Sequence, residues 1–255
     1  MKIPKIAHQI WFQGIENLTE EPYKKSYISC QNKLKDWGWE HMIWDDKSIK
    51  VFLSKYYPKY LELYNYFDIM VQKIDFAKYA IIYHFGGVYI DMDMECIKDI
   101  TDLIDEDDEL IFSYMDNMFN PLSCGVFLSS PKNKFWKDLI DDIEKNKKGK
   151  WHYINEAQLI VNTTGCGRLR KNVKEYTGKI KILDHKYLEP CSTKFVCDST
   201  PDMRLKDNLG NHWLGTPTTV LIYMYSYKYY FIFIILLLIL IVYLIYKKKT
   251  NVILY

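Results

Sequence analysis

The sequence predicts an α/β domain, a mixed and mostly parallel sheet with helices on both faces, followed by one C-terminal transmembrane helix. Three observations predict it. Short runs rich in β-branched and aromatic residues alternate with stretches of helical spacing, and strands separated by helices form parallel sheets covered on both sides. A Gly86-Gly87 pair divides one such helical stretch from the strand Val88-Tyr89-Ile90, whose exit carries Asp91 and Asp93. Near the end, residues 229–246 carry no charge and are mostly apolar.

Lys5 to Phe12 reads as a strand, Glu21 to Lys35 as a helix, Glu40 to Trp44 as a strand and Lys47 to Tyr66 as one or two helices. Phe67, Met70, Val71, Ile74, Ala77, Ile81 and Phe85 then recur at spacings of three and four, the stripe of an amphipathic helix. The glycine pair ends that helix and starts the Val88 to Ile90 strand. Strands follow at Leu110 to Ser113, Gly125 to Ser129 and Lys179 to Leu183, with helices near Asn133 to Lys145 and Asn155 to Thr163. Ligands of such sheets bind at the carboxyl ends of the strands, where Asp91 and Asp93 fall.

The 255 residues are 49% hydrophobic, enough for one domain with a large core over residues 1–216. A juxtamembrane segment, 217–228, leads to the span at 229–246 and a short basic tail at 247–255. Eighteen helical residues measure about 27 Å, close to the roughly 30 Å hydrocarbon core of a bilayer. Tyrosines at both ends, with Lys228 and Lys247-Lys248-Lys249 beyond them, supply interfacial anchors. The three lysines favour a cytosolic C-terminus and a lumenal domain. The N-terminus shows no apolar signal region, so a tail anchor facing the cytosol is the alternative.

A net charge of +2, with no basic stripe and no zinc-ligand spacing, gives no case for nucleic acid. The six cysteines, at 30, 96, 124, 166, 191 and 197, include one close pair, Cys191 and Cys197. That spacing fits buried thiols or one local disulfide, and reduced thiols are the expectation.

Asp-x-Asp spacing carries little by itself, because 20 aspartates in this length produce about 1.6 such pairs by chance. Asp105-Glu106-Asp107 is such a pair, in an acidic run with no strand before it, and reads as a solvated loop. Asp91 and Asp93 differ in context. Two carboxylates at a buried strand's exit can hold one hard cation from its open side, as a nucleotide-sugar diphosphate requires. On the preceding helix Asp75 and Lys78 are three apart and share a face. Read as a surface ion pair they are ordinary; read with the strand they flank one crevice. There Lys78 neutralises phosphate and Asp75 accepts hydrogen bonds from sugar hydroxyls.

Ile3-Pro4-Lys5-Ile6-Ala7-His8-Gln9-Ile10-Trp11-Phe12 and the block from Asp75 to Asp93 resemble glycosyltransferase family 32, whose sugar-binding region contains a DXD motif. Fainter likenesses follow at Cys124 to Pro131, at Thr164-Gly165 and at Asn211-His212-Trp213-Leu214-Gly215-Thr216. The family includes fungal α-1,6-mannosyltransferases and inositol phosphorylceramide mannosyltransferases and is related to clostridial glucosylating toxins. The resemblance implies a GT-A fold, a nucleotide-sugar donor and retention of anomeric configuration, with the departing phosphate accepting the acceptor's proton. It places Trp11 on the nucleotide base, Asp75 on the donor sugar, Asp91 and Asp93 on ribose and metal, and His212 as a late metal or diphosphate ligand. Gly87 joins the substrate-binding set. Asp91, Asp93 and Lys78 are the expected catalytic residues.

The chain departs from the family pattern at several positions. Lys78 stands where Arg is usual, Cys124-Gly125 where Asn-Ala is common, and Cys166 where Pro follows the glycine. The closing motif is also altered.

The expected activity is a membrane-anchored, Mn²⁺- or Mg²⁺-dependent transfer of a hexose, with GDP-mannose favoured as donor and UDP-hexoses next. The acceptor is a glycan, glycoprotein or lipid, with Asp116, Asn117 and Glu156 as candidate contacts. Two alternatives remain at this point. One is an inactive binder of nucleotide sugars or glycans, and the other a Mg²⁺-dependent phosphohydrolase.

Overall fold

The structure is a computed structural model that describes residues 2–115, 121–147, 153, 155–190, 200–208, 232, 234–239, 241 and 243. The chain divides into two units, Met1–Trp213 and Leu214–Tyr255.

In the first unit the strands are β1 (Ile6–Ile10), β2 (Glu40–Trp44), β3 (Gly87–Ile90), β4 (Met94–Cys96), β5 (Leu110–Tyr114), β6 (Leu122–Ser129), β7 (Lys181–Leu183) and β8 (Leu205–Asp207). The helices are α1 (Tyr23–Asp36), α2 (Asp46–Tyr56), α3 (Pro58–Tyr66), α4 (Met70–Phe85), α5 (Lys134–Asn146), α6 (Glu156–Thr163), α7 (Cys166–Glu175) and α8 (His185–Leu188). Six strands form one sheet in the order β2-β1-β3-β6-β5-β7, while β4 and β8 pair separately. The sheet is mixed. β1 runs parallel to β2 and β3, and β5 parallel to β7, but β6 is antiparallel to both its neighbours. The expected parallel character therefore holds on either side of β6 and breaks at it.

Alternation along the strands builds two cores. Tyr89, Phe112 and Phe127 face a layer of α2, α3, α4, α5 and α7. Val88, Ile90, Ile111, Val126 and Leu128 face the other side, with Cys30 and Leu34 of α1 and Leu188 of α8. Helix α4 departs from its amphipathic prediction. Every residue from Asp75 to Ile82 is buried, because other elements surround the helix rather than one face of it.

Gly86 and Gly87 make the turn that reverses the chain from α4 into β3, both at positive φ (66° and 91°). A Cβ on Gly87 would lie 2.1 Å from the Ile6 carbonyl oxygen, so only glycine lets β3 pair this closely with β1. That close approach gives Gly87 a packing role. The residue starts β3, at the opposite end of the strand from Asp91.

The cysteine expectation is also corrected. Cys30 and Cys96 are joined, as are Cys124 and Cys166, with Cα atoms 4.8 and 5.3 Å apart. The long sequence separations hid these pairs, because only the fold brings α1 to β4 and β6 to α7. Cys191 and Cys197 lie outside the described residues. Asp105 and Asp107 do behave as a surface loop, pairing with Lys181 and Lys179.

In the second unit, residues 234–239 are helical, and their apolar side chains are exposed. Among the described residues no helix is long and apolar enough to cross a membrane. The expected span, 229–246, falls partly outside them.

His8 is fully buried on β1, its Nε2 2.9 Å from the Gly86 carbonyl and its Nδ1 accepting the Trp44 indole N–H at 3.3 Å. Those partners fix a neutral ring that donates through Nε2. Burial pushes the pKa of His8 down to about 4 and does the same for His41. Both rings stay neutral in the fold while the unfolded chain takes up protons near pH 6.5. Their contribution to stability is thus present above about 6.5 and lost as the pH falls towards 4, by up to about 1.4 kcal/mol per pH unit each. An NMR titration of the histidine ring protons is expected to show His8 and His41 changing charge near pH 4, and midpoints above 6 for both would contradict this packing.

Candidate active site

Two antiparallel paths bring the predicted residues together. From the Gly86-Gly87 turn, ten residues back along a helix cover about 15 Å, and four residues forward along a strand cover about 13 Å. Asp75 on α4 and Asp91 after β3 therefore come level. Because β1 and β3 are parallel neighbours, Trp11 leaves β1 on the same sheet edge, and Gln9 Nε2 lies 3.4 Å from the Asp91 carbonyl. β6 runs the other way, so its early residues meet the end of β3, and the Asp91 N–H donates to the Gly125 carbonyl at 2.8 Å.

These elements enclose a cavity of about 360 Å³. Trp11, Asp75, Lys78, Asp91 and Asp93 all line it. Met70, Val71 and Ile74 of α4 with Ile160 and Val161 of α6 supply apolar lining. Small-molecule sites have this character, an apolar body with a few placed polar groups. Of the other candidates, Glu156 is exposed at the start of α6 and Gly87 does not line the cavity, while Asp116, Asn117 and His212 lie outside the described residues.

At the centre is a buried ion pair. Lys78 Nζ lies 2.7 Å from Asp75 Oδ1, with the two residues 2% and 6% exposed. This is not the surface pair that the i,i+3 spacing allows. Lys78 also donates to the Cys124 carbonyl at 2.9 Å and sits over the Tyr79 and Tyr89 rings. Asp75 Oδ2 accepts from Thr164 Oγ1 at 3.2 Å. Burial acts most strongly on Lys78 and would lower its pKa, but Asp75, Asp91 and Asp93 outweigh it and hold the ammonium above its ordinary range. The cavity therefore keeps a fixed positive charge beside its carboxylates.

Asp91 sits across from that charge. Its Oδ1 accepts from Tyr89 OH at 2.7 Å, and a Cβ on Gly125 would lie 2.8 Å from its Oδ2. Glycine at 125 thus leaves the space that this oxygen uses. Burial pushes the Asp91 carboxyl up to about 7; Lys78 opposes this, Asp93 adds to it, the Tyr89 hydroxyl opposes it and Asp75 adds to it. Burial is the main cause; a divalent ion held here would relieve only the smaller share that comes from Asp93 and Asp75.

The backbone beyond Asp91 is equally constrained. The Asp93 carbonyl accepts from Ser26 Oγ at 3.1 Å and from Asn208 N at 3.0 Å. Glu189, buried and pushed well above the usual carboxyl range by burial, accepts from Ser123 Oγ, which in turn accepts from Gly125 N at 3.0 Å. Sequence reasoning missed Tyr89, Ser123, Glu189 and the Cys124–Cys166 bond. Tyr89 was the most accessible, since it sits two residues before Asp91 inside the strand.

Hard oxygen donors at Asp91 and Asp93 suit Mn²⁺ or Mg²⁺, which keep one or two protein carboxylates and take further ligands from phosphate and water. Among the described residues no group of three His, Cys, Asp or Glu side chains converges as a ready metal site. The buried Trp11 indole N–H has no hydrogen-bond partner among the described residues and remains available to a ligand.

The family described as glycosyltransferase sugar-binding region containing DXD motif matches residues 20–110. A glycosyltransferase of Acanthamoeba polyphaga mimivirus is 36% identical over 197 residues, covering 74% of this chain and 74% of its own length. Inositol phosphoceramide mannosyltransferase 1 of Schizosaccharomyces pombe is 30% identical over 145 residues, 56% of this chain and 44% of that protein. The chain thus spans about three quarters of the viral relative's length and under half of the yeast relative's. Among solved structures, PaToxG glycosyltransferase superposes with a TM-score of 0.48 at 14% identity, over 68% of this chain and 69% of that one.

The raised Asp91 gives a stability prediction. The folded state holds the Asp91 proton to about pH 7 while the unfolded chain releases it near 4. Its stabilising contribution is full below 4 and lost as the pH rises to 7, opposite in sign to His8 and His41. With divalent ions chelated, Asp91→Asn is expected to raise the unfolding free energy at pH 8 by on the order of 1 kcal/mol, and the Tm with it, with the gain disappearing below pH 4. A scan of Tm against pH measures this, and a destabilised Asp91→Asn at pH 8 would contradict the placement.

Proposed function

The chain belongs to the glycosyltransferase family whose sugar-binding region contains a DXD motif, and from that membership we propose a metal-dependent, retaining hexosyltransferase of the GT-A type that uses a nucleotide-sugar donor. The observation that carries this reading is the convergence of Trp11, Asp75, Lys78, Asp91 and Asp93 on one cavity. Mannose is the favoured sugar and GDP-mannose the favoured donor, because a relative is named as a mannosyltransferase acting on inositol phosphoceramide. UDP-hexoses come next.

In this reading Asp91 and Asp93 hold Mn²⁺ or Mg²⁺, with His212 as a further ligand. The ion would supply Lewis-acid stabilisation of the diphosphate as negative charge grows on the leaving group. Trp11 meets the nucleotide with its indole face or free N–H. Lys78, already oriented by Asp75 and the Cys124 carbonyl, adds positive charge near the phosphates without a change of protonation. Asp75 accepts from sugar hydroxyls with the capacity left by Lys78 and Thr164. With the leaving phosphate taking the acceptor's proton, no separate base is needed for a front-side, retaining transfer.

The acceptor is proposed to be a glycan, a glycoprotein or, given the phosphoceramide relative, a membrane lipid. Residues 229–246 are proposed to anchor the domain to a membrane, supported by their uncharged apolar composition. The two disulfides favour an oxidising, lumenal side over a cytosol-facing tail anchor.

The purified full-length chain with Mn²⁺ is expected to hydrolyse or transfer from GDP-mannose or a UDP-hexose. Asp91→Asn and Asp93→Asn should each lower kcat/KM by about 10²-fold or more. Activity equal to wild type in both variants would remove the metal assignment. For the anchor, the chain should stay with membranes through alkaline carbonate extraction and be released when 229–246 are deleted. Release of the intact chain would refute the span.

A further inference from the structure

Cys124 and Cys166 are joined by a disulfide and both line the cavity. Forty-two residues of chain separate them. Their neighbours are the groups that hold the buried ion pair.

The Cys124 carbonyl accepts from Lys78 Nζ at 2.9 Å. Two residues before Cys166, Thr164 Oγ1 donates to Asp75 Oδ2 at 3.2 Å, and a Cβ on Gly165 would lie 3.3 Å from the same oxygen. The α6–α7 turn is further tied to α4 by Gln72 Nε2 to Thr163 Oγ1 at 2.6 Å and by Tyr79 OH to the Thr164 carbonyl at 2.9 Å. These contacts close a ring from Lys78 to Asp75, to the 164–166 turn, across the disulfide to β6 and back through the Cys124 carbonyl to Lys78. The disulfide is the covalent link that joins the turn to β6. Beside it, Arg170 Nε of α7 donates to the Leu122 carbonyl of β6 at 2.9 Å, so without the disulfide only noncovalent contacts keep the carbonyl that orients Lys78 and the hydroxyl that orients Asp75 in register.

We propose that the Cys124–Cys166 disulfide is a positioning element of the donor site, fixing the Asp75–Lys78 pair so that donor affinity depends on the bond being intact. This rests on the reading of the cavity as a nucleotide-sugar site. A dithiol such as dithiothreitol would break the sulfur–sulfur bond, each sulfur gaining one electron and one proton, while the reagent loses two of each and closes to its cyclic disulfide.

The test uses the full chain purified without reductant. Alkylation under denaturing conditions, read by mass spectrometry, should find Cys124 and Cys166 protected until reduction. Donor KM is expected to rise about tenfold, with kcat within about threefold, both on reduction of wild type and in Cys124→Ala/Cys166→Ala. The double variant should show no further response to reductant, whereas Cys30→Ala/Cys96→Ala should keep it. Hydrogen exchange without donor should rise at residues 163–166 and 72–79 on reduction and leave β1 and β3 protected. Free thiols at 124 and 166, a wild-type KM in the double variant, or loss of protection throughout the sheet would each overturn the proposal. If no preparation binds any nucleotide sugar, the functional reading fails while the exchange result still decides the ring.

Discussion

A lysine ammonium buried beside a carboxylate, inside a helix that other elements enclose, is the constraint on which the site depends. Removing two charges from water costs several kcal/mol for each, so the Lys78–Asp75 pair persists only where every remaining donor and acceptor is answered. The Cys124 carbonyl, the Thr164 hydroxyl and the Tyr79 and Tyr89 rings supply those answers. Each comes from a different element, so satisfying the pair fixes β6, the α6–α7 turn and the end of β3 at once. Truncating Lys78 would leave Asp75 buried without its cation.

From that constraint the chemistry of the cavity follows. The lining combines a permanent positive charge at Lys78, a buried carboxyl with a raised pKa at Asp91 and apolar side chains of α4 and α6. In the proposed function the anion of a nucleotide-sugar diphosphate would meet Lys78 and its cation Asp91 and Asp93. Trp11 carries a buried N–H that has no partner among the described residues and would face the nucleotide.

How much of this was legible before folding depends on sequence distance. The α4–turn–β3 unit is continuous, so its helix period, its glycine pair and its two aspartates predicted both the elements and the meeting of Asp75 with Asp91. Trp11 was reached only through the family resemblance; the fold supplies the reason for its place, since β1 runs parallel to β3 and ends on the same edge. The disulfides were not legible, since Cys30–Cys96 and Cys124–Cys166 span 66 and 42 residues and no local pattern records such a pairing. β6 escaped too. Its apolar run is the same in a parallel or an antiparallel strand, and only its place beside β3 reveals the direction. The packing role of Gly87 against the Ile6 carbonyl was not legible either, because it depends on how closely β3 approaches β1.

The central claim is that Asp91 and Asp93 grip the cation that carries the donor's diphosphate beside Lys78. Anomalous X-ray diffraction from crystals of the full chain grown with Mn²⁺ and a nucleoside diphosphate measures this directly. The expected result is a manganese peak within about 2.5 Å of a carboxylate oxygen of Asp91 or Asp93, with diphosphate oxygens completing its shell next to Lys78. A manganese peak elsewhere, with the diphosphate outside this cavity, would contradict the account.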